Sequence, residues 1–127
     1  MHHPVIEKYI SELKLARFPY ITSDTQVLCG RVVLTASPGI DSDVVHSFRL
    51  DVPANLQPDV EPSESACWLL FLVPVFDAQI ACDILSRVHP GNEHEHSEVI
   101  GAWRLRVFVD DGHPVFLVQA TIPTSPQ

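Results

Sequence analysis

Lysine is nearly absent from this chain. Only Lys8 and Lys14 occur, and the rest of the 8 Lys+Arg are arginines, against 16 Asp+Glu and a formal net charge of −8. An acidic domain of this kind is repelled by nucleic acid and by anionic membranes unless its arginines cluster. Cysteine is scarce and odd in number, with Cys29, Cys67 and Cys82 and no CxxC. Neither a disulfide framework nor a zinc knuckle is signalled, and all three read as small core residues. Long apolar runs are missing too: the longest, Ala66 to Phe76, is too short to span a bilayer. The N-terminus lacks a basic-then-apolar leader. The expectation is a cytoplasmic protein with no membrane attachment. There is no GxSxG, no glycine-rich phosphate loop and no HExxH. No catalytic residue and no cofactor is therefore assigned, and a non-enzymatic role is expected.

What is present is apolar surface in periodic order. Hydrophobic residues make up 46% of the 127, enough for a real core in one domain spanning residues 1–127. Eleven prolines against five glycines point to ordered, turn-rich connections. Pro4 to Ala16 carries Val5, Ile6, Tyr9, Ile10 and Leu13 on one helical stripe. Gln26 to Ala36 reads as a long strand, with Gly30 marking a bulge or bend. Val45 to Val52 follows as its hairpin partner. His46, Phe48, Leu50 and Val52 share one face; Ser47, Arg49 and Asp51 share the other.

Pro53 to Ser65, with three prolines and three acids, reads as a solvated tether that the fold can do without. The apolar run from Ala66 to Phe76 is consistent with a central strand, with Pro74 at a bulge or edge. Asp77 is a plausible N-cap for a helix from Ala78 to Val88, whose apolar face would hold Ala78, Ala81, Cys82, Leu85 and Val88. Asn92 to Glu98 reads as a polar loop. The last stretch organises the rest. Trp103, Leu105, Val107 and Val109 alternate with Arg104, Arg106 and Phe108, the Asp-Asp-Gly-His run turns the chain, and Val115 to Ile122 returns as a second strand. Trp103, Leu105 and Val107 are expected in the core.

The pattern predicts an α+β fold: a mainly antiparallel five-stranded curved sheet or small OB-like barrel, with an N-terminal helix and one helix between strands 3 and 4. Two surface candidates follow. Arg104, Arg106 and Phe108 lie on the polar face of their strand, and arginine beside an aromatic suits a recognition surface. The alternative for these arginines is pairing with acids on a neighbouring strand. With the overall charge of −8, a protein partner fits this face better than nucleic acid. An adaptor, an immunity or inhibitor protein, or a small subunit of an assembly would fit, and a homo-oligomer stays open. An OB-like single-strand binder is the second reading.

The other candidate is Glu93-His94-Glu95-His96-Ser97-Glu98. With Pro90-Gly91 before it and Gly101 after it, this stretch resembles part of the first cupin motif. The resemblance implies a cupin-like metal protein with His94, His96 and Glu98 as ligands. The glutamate lies closer to the second histidine than a cupin places it, and no second motif with a third histidine follows. His113, at the hairpin tip, is the substitute third ligand. The expectation is no tightly held metal.

Overall fold

The computed structural model describes residues 4–37, 47–88 and 95–120. The elements run α1 (Pro4–Leu15), β1 (Ile21–Thr22), β2 (Gln26–Cys29), β3 (Val32–Ser37), β4 (Ser47–Asp51), α2 (Glu64–Val75), α3 (Ala78–Arg87), β5 (His96–Ile100), β6 (Trp103–Asp110) and β7 (His113–Ala120). The fold is α+β around one antiparallel sheet. Among the described residues the sheet has 7 strands, in the order β1-β2-β3-β4-β7-β6-β5, with β1 and β5 at its two ends. It does not close into a barrel.

Local turn chemistry makes most of this sheet. Three of its hairpins close on two residues: Gly30-Arg31, Gly101-Ala102 and Asp111-Gly112. Gly30, Gly101, Asp111 and Gly112 all take positive φ, between 52° and 81°. These are the backbone signs of the primed turns, whose twist matches the flanking strands. The expected bulge at Gly30 is thus a complete reversal, and the one long strand expected there is two. Of the six strand pairings among the described residues, β4 with β7 is the non-local one.

All three helices contribute to one apolar core with one face of the sheet. The cross-strand rows Leu34–Leu50–Phe116–Val107 and Phe48–Val118–Leu105 line that face. Every member is buried, together with Val5, Ile6, Tyr9 and Leu13 of α1 and Ala81 and Ile84 of α3. Phe116 lies at the centre, 5.3 Å from Trp68 and 6.4 Å from Phe71, both on α2. α1 ends as Arg17 takes a left-handed turn, with Phe18 N–H donating to Leu13 O and Arg17 N–H to Lys14 O. These are the two bonds of a Schellman cap.

Several expectations are overturned. The run at 66–76 is α2, a helix and no strand. Ser63 caps it, accepting from Ala66 N–H at 3.3 Å, and Pro74 falls near its end. A short apolar run reads the same way as a buried strand or a buried helix, and here α2 is apolar on nearly all sides. The helical connection follows the fourth strand and contains two helices, α2 and α3. α3 is also rotated from the expected face: Ala81, Ile84 and Val88 are buried, while Ala78 and Cys82 are exposed. The polar stretch before Gly101 includes β5, a strand. Trp103 is only half-buried, 5.9 Å from Phe48, while Leu105 and Val107 are fully inside as expected. His46 lies outside the described residues.

The segment from Pro53 to Ser65 is no tether. Leu56 packs on the core, and Glu61 is 2% exposed. The Glu61 carboxylate accepts hydrogen bonds from Arg31 N–H, from Arg31 Nε and Nη2 at 3.2 and 3.1 Å, and from Gln57 N–H at 2.7 Å. Arg31 Nη2 also donates to Asn55 O. Gly30 is obligatory beside this clasp: a Cβ there would lie 2.5 Å from Glu61 Cγ and Oε2. On either side of Glu61, the thiols of Cys29 and Cys67 donate to Val60 O and Pro62 O at 3.7 and 3.5 Å.

Candidate interaction face

The strand alternation that fills the core leaves the other sheet face uncovered by any helix of the described residues. Across it run Ile21–Leu28–Val33–Asp51–Val115–Phe108, then Gln26–Thr35–Arg49–Leu117–Arg106–Ser97, then Ser37–Ser47–Gln119–Arg104–Val99. Arg104, Arg106 and Phe108 all lie on this bare face, where their parity within β6 puts them. The topology adds partners that distant strands supply.

Two guanidinium groups approach the Phe108 ring, Arg106 at 5.3 Å and Arg49 at 5.8 Å from its centre. Each contact is attractive, because the ring face carries negative charge density. Carboxylates fix both arginines. Arg106 binds Glu95 through Nε and Nη2 at 2.9 and 3.0 Å. Arg49 binds Asp51 through Nε at 3.1 Å and Nη2 at 3.0 Å, then reaches Asp110 at 2.6 Å. Since Asp51 is on β4 and Asp110 on β6, the Arg49 head bridges across β7 between them. This explains why Val115, on an otherwise bare face, is 0% exposed. His113 Nε2 meets Asp51 Oδ1 at 3.0 Å. A shallow cleft of about 260 Å³ lies at this end, lined by Arg31, Val33, Asp51, Pro53 and His113.

The electrostatics follow from these pairs. The hydrogen bonds Arg49 donates to Asp51, then to Asp110, raise its pKa above the ordinary value, and those Arg106 donates to Glu95 raise that of Arg106. The Arg106 hydrogen bonds in turn hold Glu95 below the usual carboxylate range. Arg104 is exposed and has no ion pair among the described residues. Arg49, Arg104 and Arg106 face Asp51, Glu95 and Asp110, three cations against three carboxylates. The chain as a whole carries −8.

The histidine candidates lie elsewhere. His96 and Glu98 project to the helix side of the sheet, because they pair with Val107 and Leu105. His96 Nε2 meets Glu98 Oε1 at 2.7 Å, and Arg87 of α3 binds the same carboxylate. Partial burial alone would raise the Glu98 pKa, but the bonds from Arg87 and His96 outweigh it and leave it lowered. His113 is on the opposite face, beside Asp51, and does not join this pair. His94 lies outside the described residues, and among those described no three His, Cys, Asp or Glu side chains converge.

Arg49, Asp51 and Glu95 carry this face together with the predicted residues. The parity of Arg49 and Asp51, opposite Phe48 and Leu50, was readable. Their neighbourhood was not, since nothing local in the chain indicates that β4 pairs with β7. No known protein family matches the chain, and no curated protein or solved structure matches it either.

Proposed function

We propose that this chain is a non-enzymatic binding domain that holds a protein partner on the bare sheet face around Phe108, Arg106 and Arg104. One observation carries the reading: an aromatic ring contacted by two arginines that are themselves fixed by carboxylates, on a sheet face that no helix of the described residues covers. Ordering side chains on binding is costly, and here the order exists beforehand. Phe108 and Leu117, both half-buried, offer apolar contact, and exposed Val99 extends it beside Arg104. The chemistry suits a partner with an apolar strip and a carboxylate placed to meet Arg104. Nucleic acid is disfavoured because the patch has no surplus of positive charge to offer phosphates.

The test is site-specific photocrosslinking in the native cell. A photoreactive phenylalanine analogue at position 108 should trap one discrete protein, and the same analogue at exposed Gln79 on α3 should not. Arg104→Glu should reduce the yield without altering the circular dichroism of the domain. Salt-sensitive, micromolar binding to single-stranded DNA or RNA, lost in Arg104→Glu with Arg106→Glu, would replace this reading with the nucleic-acid one. Equal trapping at both positions would remove the face as a site.

A further inference from the structure

The two ends of the sheet differ. β1 is 2 residues long, a blunt edge, while β5 has 5 residues and, among the described residues, nothing beyond it in the strand order. Which backbone groups β5 leaves over follows from hydrogen-bond parity. Val52 N–H donates to Pro114 O at 3.2 Å, so the even residues of β7 turn to β4 and the odd ones to β6. Carried through the β6–β7 register, this turns Trp103, Leu105 and Val107 toward β5. Their partners Ile100, Glu98 and His96 are then the bonded residues of β5. The two-residue turn between Ile100 and Trp103 demands the same parity independently. Ser97 and Val99 therefore point their N–H and C=O groups away from the sheet, with Val99 58% exposed.

We propose that β5 pairs with β5 of a second copy of this chain, antiparallel about a two-fold axis at Ser97. An exposed row of free donors and acceptors is a template for strand addition. The side chains select the partner. With Ser97 facing its own copy, Val99 faces Glu95 of the other protomer. His96 faces Glu98, and the symmetry makes that complementary pair twice. The neighbouring register, centred on Glu98, would set two carboxylates directly opposite, which is destabilising. The sequence His96-Ser97-Glu98 is thus complementary to itself in one register. Such a dimer makes one sheet continuous across both chains and sets the two bare faces side by side. It uses backbone groups, so it stands or falls separately from the binding role of Phe108 and Arg104.

Sedimentation velocity on the whole chain tests this. The wild type should populate a dimer in the tens of micromolar. Ser97→Pro should weaken self-association by at least about tenfold, because proline removes an outward donor and no bond within the sheet. Its circular dichroism should match the wild type. A second measurement reads the register and needs no proline. In a Cys82→Ser background, a short bis-maleimide should join Ser97→Cys chains into a dimer far faster than Val99→Cys chains. A monomer at every concentration overturns the proposal. So does a dimer indifferent to Ser97→Pro, or equal crosslinking at the two positions.

Discussion

Removing the Glu61 carboxylate should unfasten the segment that joins β4 to α2. Glu61 accepts from two backbone N–H groups, those of Arg31 and Gln57, and from the Arg31 side chain. The Arg31 hydrogen bonds, opposed by burial and helped by Gln57, pull its pKa from 4.5 down to about 2. A carboxylate whose pKa falls on folding contributes stability that is complete above the unfolded value. That stability is lost as pH falls from about 4.5 through about 2. Each unit corresponds to about 1.4 kcal/mol, so the full shift is worth at most about 3.5 kcal/mol. The Arg31 side chain is 50% exposed, and solvent screening brings the expected figure to about 1–2 kcal/mol. Glu61→Gln should lose about that much at pH 7, read from urea midpoints. Glu61→Ala should lose about 2–4 kcal/mol, since both backbone donors are left without an acceptor. The gap between wild type and Glu61→Gln should narrow as the pH is lowered from 5 towards 2. Equal midpoints at pH 7, or a gap indifferent to pH, would refute the clasp and restore the picture of a loose tether.

Gly30→Ala should cost at least about 1–2 kcal/mol through its positive φ alone, with an added clash against Glu61. That second part should disappear in the Glu61→Ala background, so a double-mutant cycle will show strong coupling. Phe116→Ala, emptying the space between Trp68 and Phe71, should cost about 3–5 kcal/mol in thermal or urea unfolding. Cys82 should react at once with a thiol reagent in native buffer, while Cys29 and Cys67 react only on unfolding, because both are buried and burial pushes the Cys67 thiol up to about 12.

Where local rules suffice, the chain is legible. The hairpin of β6 and β7 follows from period-two alternation and an Asp-Gly turn, and the same alternation puts Arg104, Arg106 and Phe108 on one face. α1 follows from its apolar stripe. Legibility fails where one pattern serves two structures. The run 66–76 has the composition of a central strand, and only Ser63 at its start marks it as a helix. β5 was hidden for the opposite reason. Its inward residues His96 and Glu98 are polar: they pair with each other, Glu98 also binds Arg87 at the rim, and no alternation of hydrophobicity is left. Glu61 looked like one acid among several in a proline-rich stretch. Its burial depends on Arg31, 30 positions earlier.

The pairing of β4 with β7 has a consequence for how the molecule comes together. Every other ladder in the sheet joins strands that follow one another in the chain. Residues 47–51 meet 115–119 only after two helices and two further strands have intervened. Loop closure over that distance must come before any reward from the contact, and such pairings set the slow step of folding. The two meanders are then early, local assemblies, one on each side of the helical connection. Their docking along β4 and β7 gathers Leu50, Phe116 and Val107 into one row. Substitutions at Leu50 or Phe116 should slow folding, and so should those at the Gly101 turn, which belongs to a meander formed before the docking.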